Sequence, residues 1–369
     1  MNFTITQQAF YTVLSMVYSA VESRSTLPVL SNVLLSVSGE TLTVTATDLE
    51  VEQISQMNLI DSQLDASITV PARKLIDIVK AMPKDKNISF SVDGDDAQIK
   101  CGRSRYKLTT ISASDFPDID THFKPLHSLT IDASVLCTLL NDATFSMANQ
   151  DVRYYLNGAL INITPDYIGV ISTDGHRISS AKHTIKTNAE SPIASILPRK
   201  GVLTILKLLQ SFSGEITIGV TTNHFRITFG ENIFTSKLVD GRYPDYNRVI
   251  PKDEKDDIRV EVNTSLLQSM LSRVSILANE KTKGVRLAFD NNSLCLMANN
   301  PEQERSEEVI DVEYPAQAFE IGVNASYLLD VLNHTKTENV VLVFKDSNST
   351  IRLFPTDETA LHCVMPMRL

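Results

Sequence analysis

The stretch Ile-Ser-Thr-Asp-Gly-His-Arg-Ile, residues 171–178, decides the fold because part of it recurs at a fixed spacing. Thr47-Asp48 stands 126 residues before Thr173-Asp174, and Asn299-Asn300 stands 126 residues after it. Self-similarity at a constant period indicates a repeated architecture. A chain of 369 residues is close to three such periods, so the spacing predicts three homologous domains. The predicted domains are residues 1–125, 126–252 and 253–369.

The period also relates apolar residues in the predicted helices. Two sets repeat at 126 residues: Ile76, Val202 and Leu328, and Val79, Ile205 and Val331. Near the start of each unit, Phe10 and Leu136 are 126 residues apart, but Leu267 follows 131 residues later. We attribute the five additional residues to the charged run at 252–257, which has the composition of a solvated linker.

Each predicted unit repeats one order of elements twice. A short strand precedes an amphipathic helix with apolar residues at i, i+3 and i+4, and alternating strands follow. Thr6, Asp132 and Asn263 precede the first helix of each unit and are suitable N-cap residues. The pattern predicts α+β domains, each with two helices against antiparallel sheets, and therefore six copies of one half-domain in the chain.

Composition limits the possible functions. The chain is 43% hydrophobic and 21% charged, which is typical of a folded protein, and it has no apolar run near the roughly 20 residues that span a bilayer. Its four cysteines are far apart, as in proteins of a reducing compartment. The net charge of −10 would repel nucleic acid, so any DNA role requires positive charge gathered on one surface.

An enzyme remains an alternative because Asp174, His176 and Arg177 could form an acid–base cluster. The sequence has no GxSxG elbow, no GxxxxGK loop and no HExxH or HxH set, and neither other repeat has a His at the position of His176. A structural or binding histidine is the favoured interpretation. The sequence therefore predicts a protein without catalytic residues, metal site or cofactor, while a hydrolase that uses Asp174 and His176 is kept as the second hypothesis.

Several ordered motifs resemble one family. They are residues 27–32 (LPVLSN), 45–50 (TATDLE), 70–74 (VPARK), 150–158 (QDVRYYLNG), 172–177 (STDGHR), 234–246, 299–304 (NNPEQE) and 364–369 (VMPMRL). In this order they resemble the bacterial DNA polymerase III beta subunit, the replicative sliding clamp. The resemblance covers essentially the whole chain.

The resemblance implies a head-to-tail homodimer, a ring around double-stranded DNA that tethers the replicative polymerase without reading sequence. It also implies binding of the clamp loader and other clamp-binding-motif proteins, no membrane partner, and a bacterial cytoplasmic location. The DNA-facing residues would be Arg24, Arg73, Gln150, Tyr154, Lys200 and Arg248, with the loop at 147–150 reaching into the hole.

The resemblance further implies a partner-peptide pocket between the second and third domains. Its residues would be Leu156, Thr173, Gly175, His176, Arg177, Ile178, Pro244, Val249, Cys363 and Met365. A second patch would use Arg153, Tyr155, Asn324, Tyr327, Pro366, Met367 and Arg368.

The implied dimer interface joins the third domain of one chain to the first domain of the other. Its residues would be Lys74, Ile78, Arg103, Arg105, Tyr106, Leu108, Ile276, Leu277, Glu302 and Glu304, with Glu307 or Glu308 as further acidic partners. An ordinary core inside the third domain is the alternative for Ile276 and Leu277.

Overall fold

The computed structural model describes residues 1–22, 26–117, 119, 123–314 and 316–368. The first repeat contains β1 (Asn2–Thr6), α1 (Gln7–Val17), β2 (Asn32–Ser38), β3 (Thr41–Thr47), β4 (Val51–Asn58), β5 (Asp61–Gln63), β6 (Ala66–Pro71), α2 (Ala72–Ala81), β7 (Asn87–Asp93), β8 (Asp96–Cys101), β9 (Ser104–Thr109) and β10 (Ile111–Ser112).

The second repeat contains β11 (His127–Asp132), α3 (Ala133–Ala143), β12 (Gly158–Ile163), β13 (Tyr167–Thr173), β14 (Arg177–Thr184), β15 (Ile193–Pro198), α4 (Arg199–Leu209), β16 (Glu215–Val220), β17 (His224–Phe229) and β18 (Asn232–Lys237). The third contains β19 (Ile258–Asn263), α5 (Thr264–Val274), β20 (Gly284–Asp290), β21 (Ser293–Asn299), β22 (Arg305–Asp311), β23 (Phe319–Asn324), α6 (Ala325–His334), β24 (Asn339–Phe344), β25 (Ile351–Pro355) and β26 (Ala360–Val364). Short 3-10 turns lie at Tyr18–Ala20, Pro28–Ser31, Ala113–Asp115, Thr144–Ser146, Tyr154–Leu156, Tyr246–Arg248 and Ser275–Leu277.

The order β-α-β-β-β occurs six times in the described chain, twice in each repeat. The six half-domains predicted from the sequence are therefore present. The predicted N-caps are also present: Thr6 accepts from the amide of Ala9, and Asn263 from that of Leu266. Asp132 likewise accepts from the amide of Ser134 at 2.8 Å. Each cap satisfies an amide that the first helical turn leaves without an internal partner.

The described chain divides into two units. Residues 1–134 and 203–238 form the first, which holds a five-stranded sheet (β5-β1-β7-β8-β9) and a nine-stranded sheet (β10-β6-β2-β3-β4-β18-β17-β16-β11). Helices α1 and α2 pack together there. Phe3 lies in the core of this unit, stacked on Phe90 with ring centroids 4.9 Å apart and meeting Phe10 edge to face.

Residues 135–202 and 239–369 form the second unit. It holds an eight-stranded sheet (β15-β12-β13-β14-β26-β25-β24-β19) and a four-stranded sheet (β22-β21-β20-β23), with α5 packed on α6. The main core of the third repeat fills the space beneath these helices and includes Phe289 and Phe344, whose ring centroids are 5.0 Å apart. A smaller apolar cluster centres on Leu160, Ile171 and Ile178.

The repeat spacing is not uniform. Strands β3, β13 and β21 start 126 residues apart, but α2 and α4 start 127 residues apart, at Ala72 and Arg199. Leu75, which is fully buried, is therefore the equivalent of Val202, and the prediction that Ile76 holds this position is wrong by one residue. A one-residue shift moves a side chain by about 100° around a helix, which explains why Ile76 is only half-buried.

The charged run at 252–257 is not simply a solvated linker, and that prediction is wrong for Asp257. The Asp257 side chain is 5% exposed and pairs with the guanidinium of Arg352, which also contacts Asp253. The run contributes its additional residues before α5, and the segment from α5 to β20 is shorter than that from α3 to β12. The 126-residue spacing of the hairpins is restored in this way.

Candidate functional site

A tight turn joins β13 to β14 at residues 173–177. The Asp174 Oδ1 accepts from the amides of His176 at 2.9 Å and Arg177 at 3.1 Å. The Thr173 hydroxyl donates to the Arg177 carbonyl and accepts from the amide of Gly175 at 3.0 Å. Gly175 has φ +91°, a backbone conformation that suits glycine. Because Asp174 binds its own turn, it is committed to structure rather than to proton transfer with His176.

Arg177 is the most extensively contacted charge at this turn, with a side chain 10% exposed. Its Nε donates to Asp174 at 3.0 Å, its Nη1 to Asp330 on α6 at 2.5 Å, and its Nη2 to the Phe145 carbonyl at 3.0 Å. The guanidinium also lies 4.6 Å from the centre of the Tyr327 ring. Such a fork fixes the turn against the third repeat, since each direction of the planar group has a partner.

A cavity of about 190 Å³ opens beside this turn. It is lined by Arg153, Tyr155, Leu156, Thr173, Gly175, His176, Arg177, Ile178, Pro244, Tyr246, Val249, Thr350, Cys363 and Met365. The structure thus gathers all ten residues predicted for the pocket, together with Arg153 and Tyr155 from the second patch. Sequence reasoning missed Tyr246 and Thr350. Tyr246 lies between Pro244 and Val249, so its position was a usable signal, whereas Thr350 joins the cavity only through strand pairing.

The C-terminal segment forms one edge of the cavity. Strand β26 ends at Val364, but the amide of Met365 donates to the His176 carbonyl at 3.0 Å. Further on, the amide of Met367 donates to the Gly322 carbonyl at 2.8 Å. The segment through Met367 is therefore held by the backbone on both sides of Pro366, and it is not a loose end.

The cavity combines a rim of paired charges with an apolar floor. Hydrogen bonds from the Arg153 side chain and amide lower the pKa of Asp151 to about 2, and Arg153 Nη2 also donates to the Asp174 carbonyl at 3.1 Å. Burial raises the pKa of the Cys363 thiol to about 12, against the opposing charge of Arg352. Burial likewise raises the pKa of Tyr243, whose hydroxyl accepts from the Thr173 amide. The floor therefore stays uncharged near neutral pH, and Arg153 and Asp151 at the rim stay an ion pair.

The remaining residues of the predicted second patch do not line the cavity. Asn324 caps α6, accepting from the amides of Ser326 and Tyr327. The Tyr327 ring lies parallel to that of His176 at 6.4 Å and beneath Arg177, so it supports the cavity from outside. Pro366, Met367 and Arg368 follow the edge formed by Met365.

The predicted DNA-facing residues lie in different environments. Arg73, Gln150, Tyr154 and Arg248 are exposed, and Lys200 is half-buried. Arg24 lies outside the described residues. Arg248 pairs with Asp245 at 2.9 Å. In the loop at 147–150, Met147 and Ala148 are each 5% exposed, while Asn149 and Gln150 are exposed. That this loop reaches into the hole stays a prediction.

Most predicted interface residues are accessible in the single chain. Lys74, Arg103, Arg105, Tyr106, Glu302 and Glu304 are exposed, and Ile78 and Leu277 are half-buried. Ile276 is 75% exposed, which excludes the alternative that it belongs to the core of its own domain. Two of the predicted residues are less accessible, and their place in the interface stays a prediction. Leu108 is only 8% exposed, so little of it remains for a partner, and Glu308 already pairs with Arg273 at 2.5 Å.

Among the described residues, no group of three His, Cys, Asp or Glu side chains is placed to hold a metal ion. None of the helices in the described ranges is long and apolar enough to cross a membrane.

Comparisons with known proteins match the whole chain. Three family models, each of one domain of the DNA polymerase III beta subunit, match this chain. The model of the N-terminal domain matches residues 1–120, that of the central domain residues 130–245, and that of the C-terminal domain residues 247–368. The beta sliding clamp of Pseudomonas putida is 44% identical and that of Escherichia coli (strain K12) 40% identical, each covering 100% of both chains. The crystal structure of the Pseudomonas aeruginosa sliding clamp bound to griselimycin matches with a TM-score of 0.95 at 44% identity, covering 100% of both chains.

These matches decide between the two hypotheses, a sliding clamp and a hydrolase. They confirm three clamp domains of helices and antiparallel sheets, and a processivity factor rather than a hydrolase that uses Asp174 and His176. The chain belongs to the family of bacterial DNA polymerase III beta subunits, the beta sliding clamps.

Proposed function

We propose that two copies of this chain close head to tail into a ring around duplex DNA in the bacterial cytoplasm, where the chromosome is copied. We further propose that the cavity beside residues 173–177 receives a short apolar segment of the polymerase, the clamp loader and other partners. The domain boundaries at 125/126 and 252/253 and the residue roles given above are parts of this proposal. The observation that supports the ring is that the same strand pairing, in the same register, joins successive repeats within the chain.

This strand pairing is how successive repeats join. Strand β4 of the first repeat pairs antiparallel with β18 of the second, and β14 of the second pairs with β26 of the third. The joining strands begin at Asn232 and Ala360, which lie opposite Ser55 and Ala181. Ser55 and Ala181 are 126 residues apart, so both junctions use equivalent strands in one register. Each repeat thus extends a sheet of the next.

Within the described residues, the two strands equivalent to those at the junctions have no neighbour on their outer edge. Strand β9 is the edge of the five-stranded sheet, and β22 is the edge of the four-stranded sheet. An exposed edge strand tends to pair with another chain. Applied between two chains, the same pairing joins β22 of one to β9 of the other. The interface is then heterologous, and it closes after two copies if the rotation permits.

The shared register makes this interface specific. Ser104 begins β9, as Asn232 begins β18. Glu308 lies opposite Leu296 within its hairpin, and Ser55 lies opposite Val44 within the equivalent hairpin of the first repeat. Because Leu296 and Val44 are two periods apart, Glu308 is the equivalent of Ser55. Ser104 therefore faces Glu308 of the partner subunit. One residue further along, Arg105 faces Glu307 of the partner subunit, and opposite charges meet.

Ile276 has an informative counterpart within the chain. It is the second residue of the 3-10 turn after α5, as Phe145 is of the turn after α3. Phe145 packs on the following repeat, with its ring stacked on His334 at 4.4 Å and tilted against His362 at 5.4 Å. Tyr106 is the third residue of β9, as His362 is of β26. This supports contact between Ile276 and Tyr106 across the seam.

A charge exchange tests the ring. Arg105→Glu and Glu307→Arg each set like charges opposite one another, so each variant should sediment as a folded monomer. The two single variants mixed together should form dimers. In such a dimer the two new charges meet at one interface and the two original charges meet at the other, so both interfaces have opposite charges. The double variant should dimerise alone for the same reason. Lys182→Glu, exposed on β14, is the matched control. Dimers of wild-type strength from both single variants would refute the proposed register.

Closure on DNA has its own test. A ring held by topology stays on a closed circle after loading and slides off when the circle is cut. Direct affinity for short duplexes should be weak and fall with salt, since the contacts are to phosphates. Retention on cut, unblocked DNA at moderate salt would show that contacts rather than the ring hold the protein.

The cavity is tested with a short peptide of the Gln-Leu-x-Leu-Phe kind, which the family resemblance implies. Burying its Leu and Phe is worth roughly 3–6 kcal/mol before ordering costs. Deleting residues 365–369 removes the edge that Met365 forms and should greatly weaken binding while leaving the dimer intact. Titration of the labelled peptide against both forms measures this. Equal affinities would mean that the peptide site lies elsewhere.

A further inference from the structure

The cavity has two walls of different origin. Cys363 lies on strand β26, and Thr350 immediately precedes β25, so these two residues belong to a regular sheet. The opposite wall is the segment at residues 239–251, which includes Pro244, Tyr246 and Val249. Beyond one 3-10 turn this segment has no regular structure of its own. Its position relative to the sheet therefore depends on what holds its ends.

Arg352 holds the far end of that segment. It lies directly opposite Cys363 in the β25–β26 ladder and two residues from Thr350, so it shares their face of the sheet. It does not line the cavity, because residues 251–257 cover it and leave it 3% exposed. Its Nη1 contacts Asp253 at 2.5 Å and the Pro251 carbonyl at 3.5 Å.

The second branch of the guanidinium completes the contact. Arg352 Nη2 donates to Asp257, whose Oδ2 also accepts from the Glu254 amide at 2.8 Å. Burial alone would raise the pKa of Asp257, but the Glu254 amide and the Arg352 side chain together lower it, so the carboxylate stays charged near neutral pH. A planar fork with carboxylates on two sides permits little sliding, because a buried charge that loses its partner is strongly disfavoured.

The geometry points to Arg352 as a positioning residue for the partner-peptide cavity. By holding Pro251, Asp253 and Asp257 on β25, it sets the distance between the wall at 244–251 and Cys363, and hence the side chain that the cavity accepts. This inference rests on the proposed peptide site. Arg352 would then determine the preference for an aromatic last residue of the peptide without contacting the peptide.

The test compares two peptides on the full-length dimer, one ending in Phe and one in Ala at the last position of Gln-Leu-x-Leu-Phe. Wild type should prefer Phe by about 10- to 100-fold, as expected from burying a Phe side chain. Arg352→Met should reduce that preference about tenfold and leave the affinity for the Ala peptide nearly unchanged. Arg352→Lys keeps the charge but loses the fork, and should fall between the two.

Three further variants separate positioning from stability. Arg286→Met breaks the surface pair with Glu320 at 2.8 Å and should leave the preference unchanged. Arg352→Met with Asp257→Leu removes both buried charges, so it should recover thermal stability but not the preference. If Arg352→Met does not fold, the preference is measured in Arg352→Lys and Asp257→Asn.

The outcomes are distinct. A wild-type protein that binds both peptides equally would overturn the proposed aromatic site itself. A normal wild-type preference that also persists in the Arg352 and Asp257 variants, even with a lower melting temperature, would overturn the positioning role alone.

Discussion

The turns at residues 47–51 and 173–177 are built alike and differ in what surrounds them. Asp48 accepts from the amides of Glu50 and Val51, both at 2.9 Å, as Asp174 does from those of His176 and Arg177. Thr47 donates to the Val51 carbonyl and accepts from the amide of Leu49, as Thr173 does at its own turn. The Thr-Asp pair therefore determines the turn in both repeats.

The difference lies in the three residues after Asp. The first turn has Leu49 at φ +76° and a fully buried Val51, where the second has Gly175 and Arg177. Only the second turn borders the apolar cavity. The repeated scaffold therefore supplies a rigid turn, and the small and charged residues placed on the second turn border the cavity of the proposed binding site.

The largest effect is expected from Arg177→Val, which gives the second turn the residue of the first. The change leaves Asp174 and Asp330 without their cation and removes the contact with Tyr327. Peptide affinity should fall at least about 30-fold, since truncating one partner of such a pair costs about 2 kcal/mol or more. Isothermal titration measures this, with Arg286→Val as the control. Unchanged affinity would mean that Arg177 only joins domains.

The second effect concerns the junctions beside the turns, where His362 faces Ser179 and Phe234 faces Gln53. Burial, assisted by the charge of His334, lowers the pKa of His362 to about 3. The unfolded chain therefore binds the proton first as pH falls below about 6.5, and stability is lost between about pH 6.5 and 3. Wild type should lose about 2 kcal/mol from pH 7 to pH 5 through this group.

His362→Phe, which copies Phe234, is the matched variant for that pH effect. Between pH 7 and pH 5, the unfolding free energy of this variant should fall less than that of wild type. The difference between the two decreases should equal the contribution of His362, about 2 kcal/mol. Urea unfolding at both pH values measures the difference. Parallel pH profiles would assign the acid sensitivity to other groups.

A smaller effect should separate Asp174→Ala from Asp48→Ala. Each change removes two hydrogen bonds to turn amides and should lower the unfolding free energy by about 1–2 kcal/mol. Only Asp174→Ala also takes a partner from Arg177, so only it should weaken the peptide, by about fivefold, as for loss of one charged hydrogen bond. Thermal unfolding and titration of both variants test the pair. Equal peptide affinities would show that the turn and the cavity are independent.

The smallest effect is expected from exchanging the third residue of the turns. Leu49→Gly relieves a left-handed residue and should change the unfolding free energy by at most about 1 kcal/mol in the stabilising direction. Gly175→Leu introduces the same strain, and its Cβ would lie 3.0 Å from the Arg153 guanidinium, which must move. Peptide affinity should fall a few-fold as the rim shifts. A tighter complex would mean that Arg153 obstructs the cavity in the free protein.

Local pattern accounts for much of what the sequence predicted. Alternation and helical spacing report burial within one element, and caps such as Thr6 act within three residues, so the six half-domains could be predicted without the structure. The pocket residues were predicted because the family resemblance identified them. The one-residue shift that makes Leu75 the equivalent of Val202 was missed, because both neighbouring positions, 75 and 76, are apolar.

By itself, then, the sequence determined the threefold repeat, the caps of the first helices and membership of the clamp family. Only the tertiary structure decided the contacts between distant residues. Arg177 and Asp330 are 153 positions apart, and Arg352 and Asp257 are 95 apart. Their charges look like ordinary surface residues in the sequence. Strand pairing buries them together, and burial makes each depend on a partner that no local spacing identifies.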